Sequence, residues 1–274
     1  MRRIQLVALD LDGTLLNEKR EIPLSLVERI EDLQARGIHF VVATGRLYPA
    51  ALPYARQLAL KGPLIACNGA MIRDTKDDRT LHHLTLDRGQ GREILKELQK
   101  EKEDILRFSF FGDQVVTDTP HLFTEKYEKA LGLSFSYVNN LHDHMEECFL
   151  QDHHPTMIVL MTESSVTARI TDKIFQRFGD QVFVTNSHDY FTEVLHPMAT
   201  KGQALAQVAS MLGLSQGAVM AIGDNRNDLS MIEWAGTGVY VGNAPAGLHE
   251  RANYVTKEYQ SWGVLEALDK FFPE

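Results

Sequence analysis

The chain has 274 residues, 44% of them hydrophobic and 24% charged, the balance of an ordinary globular protein with room for one large domain or two smaller ones. A formal net charge of −9 argues against nucleic acid as the main partner, because phosphate backbones attract basic surfaces. Two cysteines, Cys67 and Cys148, are too few for a disulfide scaffold and lack zinc-site spacing, which suits a reducing, cytoplasmic setting, and no apolar stretch approaches the roughly 20 residues that cross a bilayer.

Met1-Arg2-Arg3 leads into a short apolar run that Asp10 interrupts, so neither the length of a secretory core nor a small-residue cleavage site is present. Ile4 to Leu9 reads as a strand and is followed by Asp10-Leu11-Asp12-Gly13-Thr14-Leu15. A carboxylate where a buried strand ends is costly without a cation or a reaction, which suggests an aspartate nucleophile. In an extended segment, residues i and i+2 point the same way, so Asp10 and Asp12 are expected to reach one centre. A plain Asp-Gly turn would also produce this hexapeptide.

Pro23 to Arg36 reads as an amphipathic helix stopped at Gly37, and Ile38 to Ala43 as a second strand. Ala43-Thr44-Gly45-Arg46 follows, where a hydroxyl and a glycine-freed N–H could hold phosphoryl oxygens. A helix near Pro49 to Leu60 leads to the strand Leu64 to Cys67, and the alternation implies a parallel sheet covered on both faces. From about His82 to His196 the pattern changes to an inserted α+β domain. Its expected helices lie near Arg88 to Lys102 and Val166 to Phe178, and its strands at Leu106 to Phe111, Thr156 to Met161 and Phe191 to Leu195. Hinges are expected at Asp74 to Thr80 and near His196-Pro197.

The alternation then resumes with a helix from Lys201 to Leu212, a strand from Ala218 to Ile222, a helix near Asn227 to Ala235, a strand from Gly238 to Val241, and a helix from Trp262 to Phe272. Thr200-Lys201-Gly202 places an ammonium at a helix start, where an anion is favoured. Gly223-Asp224-Asn225-Arg226-Asn227-Asp228 supplies hard oxygen ligands suited to Mg²⁺. All these segments fall at strand ends or helix starts, where open parallel sheets bind ligands. Lys201 taken alone would be a surface lysine, Asp228 a helix-start carboxylate, and Arg46 an ion-pair partner or loop anchor. The histidines of the insertion lack matching cysteines, and Phe108, Phe110 and Phe111 read as core.

Taken in order with Cys67-Asn68-Gly69-Ala70, these motifs resemble the haloacid dehalogenase superfamily, and in detail its Cof-type phosphatases with a type IIB cap. The resemblance spans essentially the whole chain. It implies an α/β fold with a Rossmann-like core over residues 1–81 and 197–274 and an inserted α+β cap over 82–196 that selects the substrate. It makes Asp10 the nucleophile and Asp12 the general acid and base. It gives the phosphoryl oxygens to Leu11 N–H, Thr44, Gly45, Lys201 and Asn227, and Mg²⁺ to Asp10, Asp224, the carbonyl of Asp12 and, directly or indirectly, Asp228. Thr200 stands where family members often have serine, which retains a hydroxyl.

The activity so implied is Mg²⁺-dependent hydrolysis of small phosphorylated metabolites, sugar phosphates or phosphorylated cofactors, through an aspartyl-phosphate, with neither nucleic acid nor membrane as partner. Two alternatives share the motifs: a phosphotransferase or mutase that passes the phosphoryl group to a second acceptor, and a non-catalytic phosphometabolite sensor.

Overall fold

The structure is a computed structural model and describes residues 4–98, 105–187 and 189–273. Its contacts divide the chain into two compact units, Met1–His82 with Thr200–Glu274, and His83–Ala199.

The first unit opens with β1 (Leu6–Leu9), every residue of which is buried, as expected of a strand covered on both faces. Helix α1 (Leu24–Ala35) buries Leu26, Val27, Ile30 and Leu33, a stripe at helical spacing. It precedes β2 (His39–Val42) and α2 (Tyr48–Gln57). Helix α2 stops short of the expected Leu60 because Ala59 turns to a φ of +50°. The expected strand at Leu64 is β3 (Pro63–Ala66); a parallel bridge from Ala43 to Ile65 joins it to the end of β2.

Instead of leading directly into the insertion, β3 turns back through β4 (Met71–Asp74) and continues to β5 (Thr80–His83), forming a three-stranded sheet. The polar stretch expected as a hinge is the turn between β4 and β5, closed by the Asp74 N–H donating to the Arg79 carbonyl at 2.9 Å. Short polar turns and short polar linkers have the same composition, and only the pairing of the flanking strands separates them.

In the second unit, α3 (Arg88–Leu98), β6 (Leu106–Phe111), β7 (Gln114–Thr117), α4 (Leu122–Leu131), β8 (Phe135–Tyr137) and α5 (Leu141–Leu150) precede β9 (Met157–Met161), α6 (Ser164–Phe178), β10 (Phe183–Thr185) and β11 (Phe191–Leu195). The last residues of the first expected helix lie outside the described residues. Helices α4 and α5 and strands β7, β8 and β10 were not anticipated; they are short, and α4 leaves Leu122 and Phe123 exposed, which blurs its pattern. The sheet runs β10-β11-β9-β6-β7-β8. One face packs Phe111, Ile158, Leu160 and Val194 against Ile94, Met145, Phe149 and Ile174 of the helices. The other carries Phe108, whose ring meets Tyr127 at 5.3 Å and Phe135 at 5.8 Å. Phe108, Phe110 and Phe111 are all buried, as expected for core.

The chain re-enters the first unit with α7 (Lys201–Met211), β12 (Val219–Gly223), α8 (Leu229–Trp234), β13 (Thr237–Tyr240), β14 (Tyr254–Val255) and α9 (Gln260–Phe271). The resulting sheet, β14-β13-β12-β1-β2, is parallel throughout. Leu6, Ala8, Val41, Val219 and Ala221 pack against Leu205 and Val208 of α7. This crossover order places the carboxyl ends of β1, β2 and β12 side by side.

Candidate active site

The site is built wholly from the first unit. Strand β1 delivers Asp10 in extended conformation, with its N–H donating to the Ile222 carbonyl at 3.0 Å and its side chain buried. Beyond Asp10 the extended geometry expected through Asp12 ends. Asp12 turns into a tight loop over Leu11–Leu15 in which Gly13 adopts a φ of +83°, a left-handed conformation natural to glycine. The loop lies so close to Asp224 that a Cβ at Gly13 would sit 2.3 Å from its Oδ2.

Asp12 is consequently turned toward another partner. Arg46 Nε donates to its Oδ2 at 2.7 Å and Nη2 to its Oδ1 at 2.5 Å, a bidentate fork, and the guanidinium lies 5.0 Å from the centre of the Tyr54 ring. Burial alone would lower the Arg46 pKa, but Asp12 outweighs it and holds Arg46 more firmly charged.

Lys201, the first residue of α7, is fully buried, and its ammonium donates to Asp10 Oδ1 at 2.5 Å and to Asp228 Oδ1 at 2.6 Å. Thr200 caps that helix by accepting the Gln203 N–H at 3.2 Å. Asp228 Oδ2 accepts the N–H groups of Asp224 and Asn225 at 2.9 and 3.0 Å, so both of its oxygens are engaged. This arrangement requires Gly223: a Cβ there would meet Asp228 Cγ at 2.5 Å. Asp224 accepts Thr14 Oγ1 at 3.0 Å.

Three carboxylates, Asp10, Asp224 and Asp228, thus offer oxygens within 4.8 Å of one another, and two of them, Asp10 and Asp228, share the Lys201 ammonium. Burial is the main cause that raises the Asp10 carboxyl well above its ordinary range, with Asp228 and Asp224 adding and Lys201 opposing. Burial, then Asp228, raises Asp224 from 3.8 to about 7. Lys201 is held charged, its two carboxylates outweighing burial. The cluster is short of positive charge.

A profile described as haloacid dehalogenase-like hydrolase matches residues 7–268. This chain belongs to that family. It is 29% identical to phosphatase YwpJ of Bacillus subtilis (strain 168), over 97% of this chain and 99% of that protein. With pyridoxal phosphate phosphatase YbhA of Escherichia coli (strain K12) it shares 28% identity over 92% of each chain. The solved structure of a subclass IIB sugar phosphatase shares the fold, with a TM-score of 0.81 at 20% identity, over 97% of this chain and 98% of that one.

Residues expected to hold phosphoryl oxygens form an adjoining group in this hydrolase. Thr44 is buried, and its Oγ1 accepts the Arg46 N–H at 3.1 Å. Asn227 Nδ2 donates to Asn68 Oδ1 at 3.1 Å, and a Cβ at Gly45 would lie at the same distance from that oxygen. Asn68 has a φ of +52° and is fully buried, so it joins the end of β3 to the loops after β2 and β12. Its place in the quoted motif was legible; its bridging role was not, because nothing local pairs it with a residue 159 positions away.

An all-oxygen, carboxylate-rich set short of positive charge fits a hard divalent cation such as Mg²⁺. Asp10 Oδ2 accepts no hydrogen bond among the described residues, which leaves it available to such an ion. The doubly engaged Asp228 suits an indirect part better than direct ligation. The described histidines gather into no comparable group, and both cysteines are buried thiols outside any disulfide. His196 Nδ1 accepts the Met198 N–H at 3.1 Å, a local turn contact. Among the described residues, no helix is long and apolar enough to cross a membrane.

Proposed function

We propose that this phosphatase of the haloacid dehalogenase-like family removes the phosphoryl group from small phosphorylated metabolites, sugar phosphates or phosphorylated cofactors, in a Mg²⁺-dependent reaction through an aspartyl-phosphate on Asp10. The observation that carries the reading is the buried Asp10, clamped by Lys201 at 2.5 Å beside Asp224 and Asp228. A carboxylate so placed serves as a nucleophile if the like-charge repulsion with a phosphate is offset.

Asp10 attacks phosphorus, forming an Asp10–O–P bond as the bond to the leaving oxygen breaks, and Asp12 gives that oxygen its proton. Asp12 then takes a proton from water, which attacks phosphorus; the Asp10–O–P bond breaks and inorganic phosphate leaves. Lys201 neutralises the carboxylates on either side of it. Thr44, Gly45, Asn227 and the N–H of Leu11 hold the non-reacting oxygens. Asp10, Asp224 and the carbonyl of Asp12, with Asp228 behind them, would hold Mg²⁺, which when bound would supply positive charge that offsets the repulsion of carboxylate and phosphate. The unit from His83 to Ala199 acts as the cap that selects the metabolite; the chain leaves the first unit within β5 and re-enters it at Thr200, directly before Lys201.

Phosphate release from a panel of phosphorylated metabolites, with and without Mg²⁺, tests the reading. Asp10→Asn is expected to lower turnover on the order of 10⁴-fold or more, and hydroxylamine is expected to trap the acyl phosphate only in the native enzyme. Sustained turnover by the variant overturns the nucleophile, and transfer to an added sugar outpacing phosphate release turns the reading to a phosphotransferase.

A further inference from the structure

Asn243, in the loop after β13, was not anticipated from the sequence. Its amide joins three segments distant in the chain: Nδ2 donates to the Gly13 carbonyl at 2.9 Å and to Asp224 Oδ2 at 3.3 Å, while Oδ1 accepts the Gln260 N–H at 2.8 Å. These partners fix the amide's orientation. Turned over, its oxygen would face two acceptors and its nitrogen a donor. Gln260 begins α9 with a φ of +51°, a conformation that a side-chain-bearing residue adopts at a cost.

Asp224 is therefore held at both oxygens. Thr14, from the loop that carries Asp10 and Asp12, donates to Oδ1, and an amide anchored on α9 donates to Oδ2. The same amide ties down the Gly13 carbonyl, so Asn243 together with Thr14 sets the distance between that loop and Asp224. The residue type matters. A lysine or arginine here would neutralise Asp224 and weaken its demand for a cation, and an aspartate would repel it; a neutral amide orients the carboxylate and leaves its charge available.

We propose that Asn243 is a positioning residue that presents the Asp224 carboxylate to the divalent cation and locks the nucleophile loop to it. The proposal rests on the reading of the aspartate cluster as the Mg²⁺ site.

Thermal melting of the full chain, prepared metal-free and titrated with MgCl₂, tests it alongside phosphate release over the same titration. In Asn243→Ala the Mg²⁺ concentration giving half of the stabilisation is expected to rise about 10–100-fold, and the midpoint of activation to move with it. Asn243→Ser, which keeps one donor, is expected to shift less, and stands in should the alanine variant fail to fold. A lower metal-free melting temperature with an unmoved Mg²⁺ midpoint overturns the proposal, because a mere loop anchor would give that result. A native protein that Mg²⁺ neither stabilises nor activates overturns the metal reading and this inference with it, whereas a native response shared unchanged by both variants overturns the inference alone.

Discussion

The two units bury polar groups in different ways. In the insertion the described buried polar side chains are hydroxyls apart from Glu193: Thr162 meets Thr167 at 2.9 Å, Thr192 meets the half-buried Thr171 at 2.8 Å, and Glu193 accepts Ser187 Oγ at 2.8 Å. At the strand ends of the first unit, three carboxylates crowd together and two of them share one buried ammonium. Neutral pairs cost little to bury, whereas charges are expensive even when paired. The first arrangement is what folding alone favours; the second persists where chemistry and a cation give it a use.

Paired substitutions put this contrast under the largest strain. Lys201→Met leaves Asp10 and Asp228 buried without their cation and is expected to cost about 3–5 kcal/mol in metal-free denaturant unfolding, with turnover nearly abolished. Phe108→Ala opens a cavity in the insertion and is expected to cost a similar amount, about 3–5 kcal/mol, while the folded protein keeps its phosphoryl chemistry. A neutral Lys201→Met would break the contrast, showing that the cluster carries no electrostatic burden.

A smaller effect is expected at the Asp12 clamp. Removing the bidentate fork in Arg46→Ala frees the carboxylate to wander and is expected to lower kcat about 10–100-fold, a part of the roughly 10²–10⁴-fold that general acid–base catalysis contributes. Lysine at this position cannot reproduce the fork and is expected to rescue little. Steady-state kinetics at saturating substrate and Mg²⁺ would measure both.

The gentlest probe is pH. Asp224 holds its proton up to about 7 in the folded chain against 3.8 otherwise. Between those values the folded state binds a proton that the unfolded chain has lost. The contribution is fully present below pH 3.8 and is lost as pH rises toward 7, so the metal-free protein should lose stability across that window on this account. Melting curves in EDTA are expected to show a slope that Asp224→Asn reduces, the remainder belonging to the likewise raised Asp10; equal slopes in the two proteins would move the assignment wholly to Asp10.

Much of the first unit was legible in the sequence because its signals are local. Buried parallel strands read as apolar runs, amphipathic helices as stripes, and the motif carboxylates stand directly after the strands that present them. The hairpin of β4 and β5 was missed because its strands are short and its turn resembles a linker. The insertion was only half legible for a related reason: strands of three or four residues between short helices carry too little periodicity to be seen one at a time.

The sequence by itself determined that acidic, hydroxyl-bearing and lysine residues stand at strand ends and helix starts of an alternating α/β chain, since that needs only spacing and residue type. Only the tertiary structure decided their partners. The crossover order set Asp10 and Asp224 on neighbouring strand ends, swung Asp12 onto Arg46, and brought Asn68 to Asn227 and Asn243 to Gly13. Those pairings span tens to hundreds of residues, and a hydrogen bond at such separation leaves no trace in local pattern because its geometry exists only once the sheet has formed.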